Sequence, residues 1–482
     1  AGLMKTDSFF KIGNICLITS GNLINGSVKK IVSGFSIDTR TLNDADIFIP
    51  LPGENCDGHV FITKAFEKGA EASFVKSDIE GVFRKCLSDK ALIEVQDPLN
   101  ALQILAERYR STFSGDVIAV TGSNGKTTTK DWIKHLMGNG ASIHATSGTR
   151  NNHIGLPLTV LGLRKEHICA VFELGVNHIG EMNVLGNIAK PDIAVITNVG
   201  PSHLEGFKTI ENISAEKGSL LSFLQGKNIA VLNSDDSCFM SVKAQTAGSV
   251  ITFGIDRPSF FSASKICQEN EKVVFLLSVD GKDKGTIKIN GSGKFNVYNF
   301  LAAAAAAFAA GESLENIINR SKSLIRPSSR WQCFSYEGIH IIDDAYNANP
   351  ESMRTALDAF NNMKIDGKKY FVCGSMMELG VGAADAHTEL GCEAAEQGMD
   401  ILIAVGDFSE YVVNGFLKIG SNSCKAWACE NRKDAASLIN ETIEPGDGIL
   451  LKGSRKTAME KLIPLIQRGI IKEKRKDLSN VI

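Results

Sequence analysis

The stretch DVIAVTGSNGKTTT, Asp116 to Thr129, joins a short apolar run to a glycine-punctuated turn, then to Lys126 and three threonines. Val117 to Val120 are β-rich in composition. Beyond the turn Trp132, Ile133, Leu136 and Met137 recur at helical spacing, so the context is strand, loop, helix. That geometry aims backbone N–H groups and a helix N-terminus at one place, which suits a phosphate chain. Gly122, Ser123, Asn124 and Gly125 form the turn. Lys126 adds a point charge for the outer phosphates, Thr127 a hydroxyl ligand for Mg²⁺, and Thr128 stands beside it. The common phosphate loop carries four residues between its first glycine and the Gly-Lys pair. Here Gly122 is followed by two, and Val120 stands where the longer form has glycine. The competing reading is an ordinary glycine-rich turn between a strand and a helix.

With 482 residues, the chain exceeds a single core, and about two to four domains are expected. Hydrophobic content of 43% and charged content of 22% are those of a soluble globular chain. A formal charge of −2 leaves no excess of Lys and Arg to neutralise nucleic-acid phosphates. The basic run Lys472–Lys476 reads as a solvated helix end. The 11 cysteines are scattered without CxxC pairs, which points away from zinc and disulfide frameworks and towards a reducing cytosol. No charged-then-apolar leader opens the chain. The longest apolar run, Phe300 to Ala310, is too short to span a bilayer, so no membrane insertion is expected. Ala1 to Leu3, ahead of the first methionine, Met4, are expected to be a cloning remnant.

The first hundred residues show candidate strands at Lys30–Ile37, Asp46–Pro50, Ala72–Val75 and Ala91–Val95, and a helix over His59–Lys68 closed by Gly69. Ser36, Asp38 and Arg40 lie at the end of one strand. They read either as a turn with a surface ion pair or as a pocket edge for a nucleotide base or diphosphate. Gln96–Asn100 resembles a linker, and Asn100–Ser111 a helix leading to the phosphate loop. Strands and helices then alternate, as a mostly parallel α/β sheet requires. Ile168–Leu174, Asp192–Val199 and Asn228–Leu232 are its next strands, and ligands gather at the carboxyl ends of such strands. Glu173 ends one, followed by Asn177 and His178; Thr197 and Asn198 end the next, followed by His203 and Glu205. Glu173 and His203 offer ligands for a second divalent ion. Arg150, Asn151 and Asn152 form a polar cluster suited to phosphate or peptide amides, or else a plain loop. Lys217, taken alone, reads as a solvated helix lysine. Ser249–Gly254, Lys272–Val279 and Gly285–Ile289 read as an antiparallel elaboration. Asn296 and Asn299 share one helix face, where they either read a planar base or face solvent as cap residues. Composition breaks at Ile325-Arg326-Pro327-Ser328-Ser329-Arg330. Beyond it Ile339–Asp343, Tyr370–Gly374, Ile401–Val405 and Gly448–Leu451 are strands of a second α/β unit. Its first strand runs into DDAYNANP, Asp343 to Pro350.

Together these pieces resemble the Mur ligases, ATP-dependent amide-forming enzymes of peptidoglycan precursor synthesis, from SIDTR at Ser36–Arg40 to LKGSR at Leu451–Arg455. The resemblance implies three α/β domains: a UDP-binding domain over 1–98, a central P-loop-type ATPase domain over 99–326, and a Rossmann-like ligase domain over 327–482. The short TGSNGKTTT loop matches the family's own phosphate loop. By that resemblance Gly122 to Thr128, Asn296, Asn299, Arg330 and Asp344 bind ATP, and Ser36, Asp38 and Arg40 bind the uridine nucleotide. Thr127, Glu173, His203 and Lys217 hold two Mg²⁺, with Lys217 carbamylated by CO₂. Lys126, Lys217 and His203 are the catalytic set. A carbamate has a physical rationale there, because an ammonium would be repelled by Mg²⁺ whereas an anionic oxygen ligand suits that hard ion.

Within the family, DDAYNANPESM resembles the branch that joins D-alanyl-D-alanine to UDP-N-acetylmuramoyl-tripeptide. The RNNHIGLPLTVL, ELGVNHIGEM and GSMMELG stretches support it, with His387 beyond the last. The DYAHTP-like exit and Asp-Asn-Pro-Arg motif of the third-residue-adding branch, and the DGAHNP-like exit of folylpolyglutamate synthases, are missing. Asn151, Asn152, Asn177, His178, Asn347 and Asn349 are then expected near the substrates. A cytoplasmic monomer is the expectation. The alternatives are another Mur ligase, a folylpolyglutamate synthase, a nucleotide-driven switch without ligase activity, and a non-catalytic uridine-nucleotide binder.

Overall fold

The structure, a computed structural model, describes residues 6–53, 56–78, 89–138, 140–269, 272–327 and 329–470. Lys472–Lys476, Ser328 and Ala1–Leu3 lie outside the described residues. Three sheets organise the chain. Val117 to Val120 are fully buried in the middle of the second. A parallel strand covered on both faces has to be apolar throughout, which is why this run shows no alternation. Strand order there is Lys282–Asn290, Lys272–Val279, Phe261–Glu269, Ser249–Gly254, Ile229–Asn233, Ile193–Ile196, Asp116–Thr121, Cys169–Glu173, Ile143–Ala145. The helices Lys126–Leu136 and Lys294–Ala309 pack together on one face. The alanines from Ala302 to Ala307 are all buried, and their small side chains let that helix lie close to its neighbours. The other face is covered by Pro98–Arg110, Gly155–Leu161 and Glu181–Ala189.

The antiparallel part differs from expectation. Ser249–Gly254 pairs in parallel with both neighbours, and the antiparallel ladders join Phe261–Glu269 to Lys272–Val279 and the latter to Lys282–Asn290. Phe261–Glu269 was hidden in the sequence by its polar residues and an irregular register between Ser264 and Cys267, where Lys265 has a φ of 52°.

The first sheet runs Asn22–Asn25, Ala91–Val95, Ala72–Lys76, Ile47–Phe48, Phe35–Ser36, parallel except for its first pair. The strands expected over Lys30–Ile37 and Asp46–Pro50 shrink to two residues each. Lys30 and Val32 use their backbone groups elsewhere: Ile12 N–H donates to the Lys30 carbonyl at 2.9 Å, and Val32 N–H to that of Phe10 at 3.0 Å. The third sheet runs Gln332–Tyr336, Ile339–Asp344, Gly448–Lys452, Lys369–Gly374, Ile401–Val405, Lys425–Cys429, parallel except at its first pair. Its two unexpected strands are the edges, Gln332–Tyr336 and Lys425–Cys429, which are only partly buried and so lack an apolar run. The connection into this sheet is pinned. Trp132 Nε1–H donates to the Ile325 carbonyl at 2.9 Å, and Arg326 donates to the carbonyls of Asn290 (2.7 Å) and Trp331 (3.0 Å).

At the exit of Phe35–Ser36 the Ser36 hydroxyl donates to the Asp38 carbonyl at 3.0 Å. Asp38 accepts from the Arg40 guanidinium at 2.7 to 3.1 Å and from the Arg40 N–H at 2.8 Å. The Arg40 side chain, then its backbone N–H, hold the Asp38 carboxyl at about 2, below the ordinary 3.8. The folded value is the lower one, so the pair's stabilisation is complete above the ordinary value and is lost as pH falls through about 2. Carbon NMR titration of Asp38 is expected to give a midpoint near 2 that rises towards 3.8 in Arg40→Ala. A midpoint unmoved by that substitution contradicts the pairing.

Candidate active site

The loop after Asp116–Thr121 leaves the central sheet at its switch point. The chain goes first to one side, to Ile143–Ala145 and Cys169–Glu173, and then to the other, to Ile193–Ile196. A crevice forms outside the carboxyl ends of such strands. Gly122 has a φ of 148°, and a Cβ there would lie 1.9 Å from Thr197 Oγ1; Gly125 has a φ of 79°, with a Cβ 2.2 Å from Asn299 Oδ1. Glycine is required at both by space and by conformation. The exit of the neighbouring strand holds the loop in shape. Asn124 N–H donates to Asn198 Oδ1 (2.8 Å), Thr197 Oγ1 to the Asn124 carbonyl (2.6 Å), and Ser123 Oγ to that of Gly200 (2.7 Å). Lys126 folds back, donating to the carbonyls of Gly122 (2.7 Å) and Ser123 (3.2 Å). Desolvation pulls its pKa down to about 8, Glu173 opposes the shift, and the Arg330 charge adds to it.

Over the loop lies a cleft of about 1140 Å³ between the central and C-terminal sheets. Of the residues singled out in the sequence, Ser123, Asn124, Gly125, Lys126, Thr128, Asn151, Asn152, Glu173, Asn177, His203, Asn296, Asn299, Arg330, Asp344, Asn347 and Asn349 line it. Gly122, Thr127 and Lys217 are buried and do not line it, and His178 is exposed, with Nδ1 3.2 Å from Glu181. Ser36, Asp38 and Arg40 are not among the lining residues; the turn and ion pair are what the structure displays for them. Asn152 is held locally, its Oδ1 accepting from Gly155 N–H at 2.9 Å.

Glu173 is 2% exposed. Its Oε1 accepts from Asn151 Nδ2 at 2.8 Å, while Oε2 has no hydrogen-bond partner among the described residues. Leaving a buried acceptor unmatched costs about 1–3 kcal/mol, and more for a charged one. A divalent cation is a partner that fits a hard anionic oxygen. Thr127 Oγ1 accepts from Arg330 Nη2 at 2.9 Å, and His203 Nδ1 is bonded to Glu378. Among the described residues no three His, Cys, Asp or Glu side chains converge as a metal-binding group.

Lys217 departs from the solvated-lysine reading. It lies on the helix Ile210–Gly218, which Thr209 caps, and is 1% exposed, with its Nζ 5.8 Å from the centre of the Phe207 ring. Burial, then the charge of Lys126, drive its pKa far below the ordinary lysine value against the pull of Glu216. Glu216 is itself engaged elsewhere, accepting from the N–H groups of Gly180 (2.9 Å) and Met182 (2.6 Å) at the start of Glu181–Ala189. Asn296 and Asn299 are likewise buried rather than solvated caps.

The C-terminal sheet brings its own strand ends to the cleft. Asp344 and Lys452 stand side by side in register, 2.6 Å apart at Oδ2 and Nζ. Arg330 stacks over the Tyr346 ring at 3.9 Å. Asn349 caps the helix Pro350–Asn361 and donates to Asn124 Oδ1 at 2.9 Å, while Asn124 Nδ2 donates to Glu351 at 3.2 Å. His387 supports this wall from behind: Nδ1–H donates to the Ala383 carbonyl and Nε2 accepts from Met376 N–H at 2.9 Å. The cleft also has lining residues that the sequence reading did not single out: Asp235, Asp236, Tyr298, Glu351, Glu378 and Lys452. The signal for the first two was present, since Asn233-Ser234-Asp235-Asp236-Ser237 is a polar exit at the carboxyl end of Ile229–Asn233.

Family models match most of the chain. One described as the Mur ligase family catalytic domain covers residues 31–110, the Mur ligase middle domain 120–307, and the Mur ligase glutamate ligase domain 329–455. Among curated proteins, the UDP-N-acetylmuramoyl-tripeptide--D-alanyl-D-alanine ligase of Bacillus subtilis is 34% identical over 455 residues, spanning 94% of this chain and 97% of the relative. Its Escherichia coli namesake is 29% identical over 454 residues, spanning 93% and 97%. Among solved structures, MurF from Acinetobacter baumannii superposes with a TM-score of 0.85 at 28% identity, covering 95% of this chain and 99% of that one. MurF ligase from Thermotoga maritima in complex with ADP gives a TM-score of 0.79 at 28% identity, covering 91% and 98%. With a relative this similar along nearly its whole length, the chain belongs to the Mur ligase family.

Proposed function

We propose that this chain is an ATP-dependent ligase that joins D-alanyl-D-alanine to UDP-N-acetylmuramoyl-tripeptide, the reaction named in its relatives, in peptidoglycan precursor synthesis. One observation carries the reading. The phosphate loop with Lys126, the unmatched Glu173 oxygen and the polar exit from Asp344 to Asn349 all open on one cleft. In the first step the terminal carboxylate of the tripeptide attacks the γ-phosphorus of ATP, and the bond to ADP breaks as an acyl phosphate forms. In the second, the dipeptide amine attacks the acyl carbon. The C–N bond forms, the bond to phosphate oxygen breaks, and the amine loses a proton.

Both steps need positioning and charge neutralisation more than a protein nucleophile. The loop amides from Gly122 to Thr128 cradle the phosphates, and Lys126 turns its ammonium from the loop carbonyls to them. Arg330 sits beside Thr127, within reach of the same phosphates, and Asp344 takes the ribose. Asn296 and Asn299 wall the base. Bound Mg²⁺ would supply neutralisation of phosphate charge. Thr127 fits one ion, and Glu173, His203 and a carbamylated Lys217 a second. Thr127 and His203 now contact Arg330 and Glu378 of the C-terminal side, contacts they would have to give up to hold the ions. Burial and the Lys126 charge favour the neutral amine of Lys217, the form that reacts with CO₂, and the carbamate would be a further anionic oxygen donor beside Glu173. Asn151, Asn152 and Asn177 line the substrate side of the cleft, Asn347 and Asn349 the dipeptide side, with His178 at the margin. Ser36, Asp38 and the exposed Arg40 hold the uridine diphosphate in a first domain that ends near residue 98; the third begins near residue 327. A monomeric protein is part of the same reading. Its nucleotide-linked substrate places it in the cytoplasm, and among the described residues no helix is long and apolar enough to cross a membrane.

Phosphate release from ATP is expected only when both the tripeptide nucleotide and D-alanyl-D-alanine are supplied; steady turnover with neither indicates a nucleotide switch and overturns the ligase reading. Lys217→Ala is expected to lose at least about 100-fold in turnover, the order of one lost electrostatic contact to the transition state. Short carboxylic acids should restore part of it by supplying the missing oxygen ligand. Wild-type rates in that variant contradict the carbamate.

A further inference from the structure

Among the described residues six carboxylates line the cleft, and five of them are committed to a structural or nucleotide-side task. Asp235 is held by three backbone N–H groups and the Tyr298 hydroxyl, and Asp236 by the N–H groups of Val199 and Cys238. Asp344 is paired with Lys452, Glu351 accepts from the Asn124 side chain, and Glu173 is the candidate cation ligand. The sixth, Glu378, is different. Its side chain is 48% exposed, and its partner is His203, a residue that the ligase reading assigns to a metal ion. Its place does not depend on that partner. The Glu378 carbonyl accepts from Glu205 N–H at 3.1 Å, and the preceding N–H, of Met377, donates to Ser454 Oγ at 2.9 Å. Glu378 also has a φ of 61° and His203 a φ of 51°, so both sides of the contact carry backbone strain. Such strain is kept where surrounding contacts fix a side chain for use.

We propose that Glu378 receives the ammonium group of the incoming dipeptide, a specificity-determining contact that rests on the ligase reading above. A dipeptide entering this cleft brings one cation, its N-terminal ammonium, and that nitrogen has to reach the acyl carbon. Glu378 stands on the C-terminal side, directly against His203, a residue that would hold an ion on the phosphate side of the cleft. With His203 engaged in holding an ion, the Glu378 carboxylate would be free for the amine, and its backbone contacts to Glu205 and Ser454 would keep it in place. A charge-assisted hydrogen bond then orients the nitrogen as it arrives, and the ammonium gives one proton to solvent before its lone pair attacks the acyl carbon.

The test uses the full-length protein and Glu378→Gln, which keeps the shape and removes the charge. The expected result is a KM for D-alanyl-D-alanine raised at least tenfold, with KM values for ATP and the tripeptide nucleotide moved less than twofold. Calorimetric binding of the dipeptide, in the presence of a non-hydrolysable ATP analogue and the tripeptide nucleotide, weakens by the same factor. Acyl phosphate trapped by hydroxylamine without dipeptide changes less than twofold, and Glu378→Asp recovers part of the dipeptide affinity. A dipeptide KM within twofold of wild type, or a trapped yield that falls in step with ligation, overturns the assignment; the latter makes Glu378 a closure contact instead. Wild-type protein that traps no hydroxamate and forms no amide overturns the ligase reading itself, and the assignment with it.

Discussion

Two hydrogen bonds from one side chain join the halves of the cleft. Asn124, at the tip of the phosphate loop, accepts from Asn349 and donates to Glu351, both at the start of the helix Pro350–Asn361. Its backbone is meanwhile tied to Thr197 and Asn198 of the central sheet. The loop therefore cannot change shape without disturbing the C-terminal domain's approach. Gly200 is part of the same constraint, because a Cβ there would lie 1.8 Å from the Glu351 carboxylate. Arg330 on Thr127 and Glu378 on His203 repeat the pattern, each a C-terminal group resting on a residue of the central domain. A site completed only when two domains meet suits a reaction that has to exclude water from an acyl phosphate.

The charges of the site make sense only with ligands in mind. Lys126 and Lys217 are both depressed by burial, Lys126 further by the Arg330 charge and Lys217 by that of Lys126, and Glu173 keeps one carboxylate oxygen unmatched. A fold stabilised by its own contacts alone gains nothing from such groups. Phosphate oxygens for the lysine of the loop, a cation for the glutamate, and CO₂ for the buried amine of Lys217 would resolve each in turn.

Much of this was legible in the residues. Loop, Glu173, Asn296 with Asn299, and the DDAYNANP exit lie at strand ends or on a helix start, where short motifs carry position as well as chemistry. The central strands were legible because a doubly covered strand must be apolar throughout. The edge strands Gln332–Tyr336 and Lys425–Cys429 and the bulged Phe261–Glu269 were not, since partial exposure and irregular register erase the pattern. Lys217 looked like any helix lysine, and only burial behind the loop sets it apart. Glu378 and Glu351 were beyond reach for another reason. Their meaning comes from partners some 175 and 227 residues away in the chain, and no local pattern encodes that distance.

The claim on which everything rests is that the two domains meet in order to let a carboxylate, rather than water, take the phosphoryl group of ATP. Tripeptide nucleotide carrying ¹⁸O in its terminal carboxylate tests it directly, with D-alanyl-D-alanine present and the released phosphate analysed by mass spectrometry. One labelled oxygen per phosphate, matched by amide formed, is the predicted result. Unlabelled phosphate would mean that water attacks ATP and would contradict it.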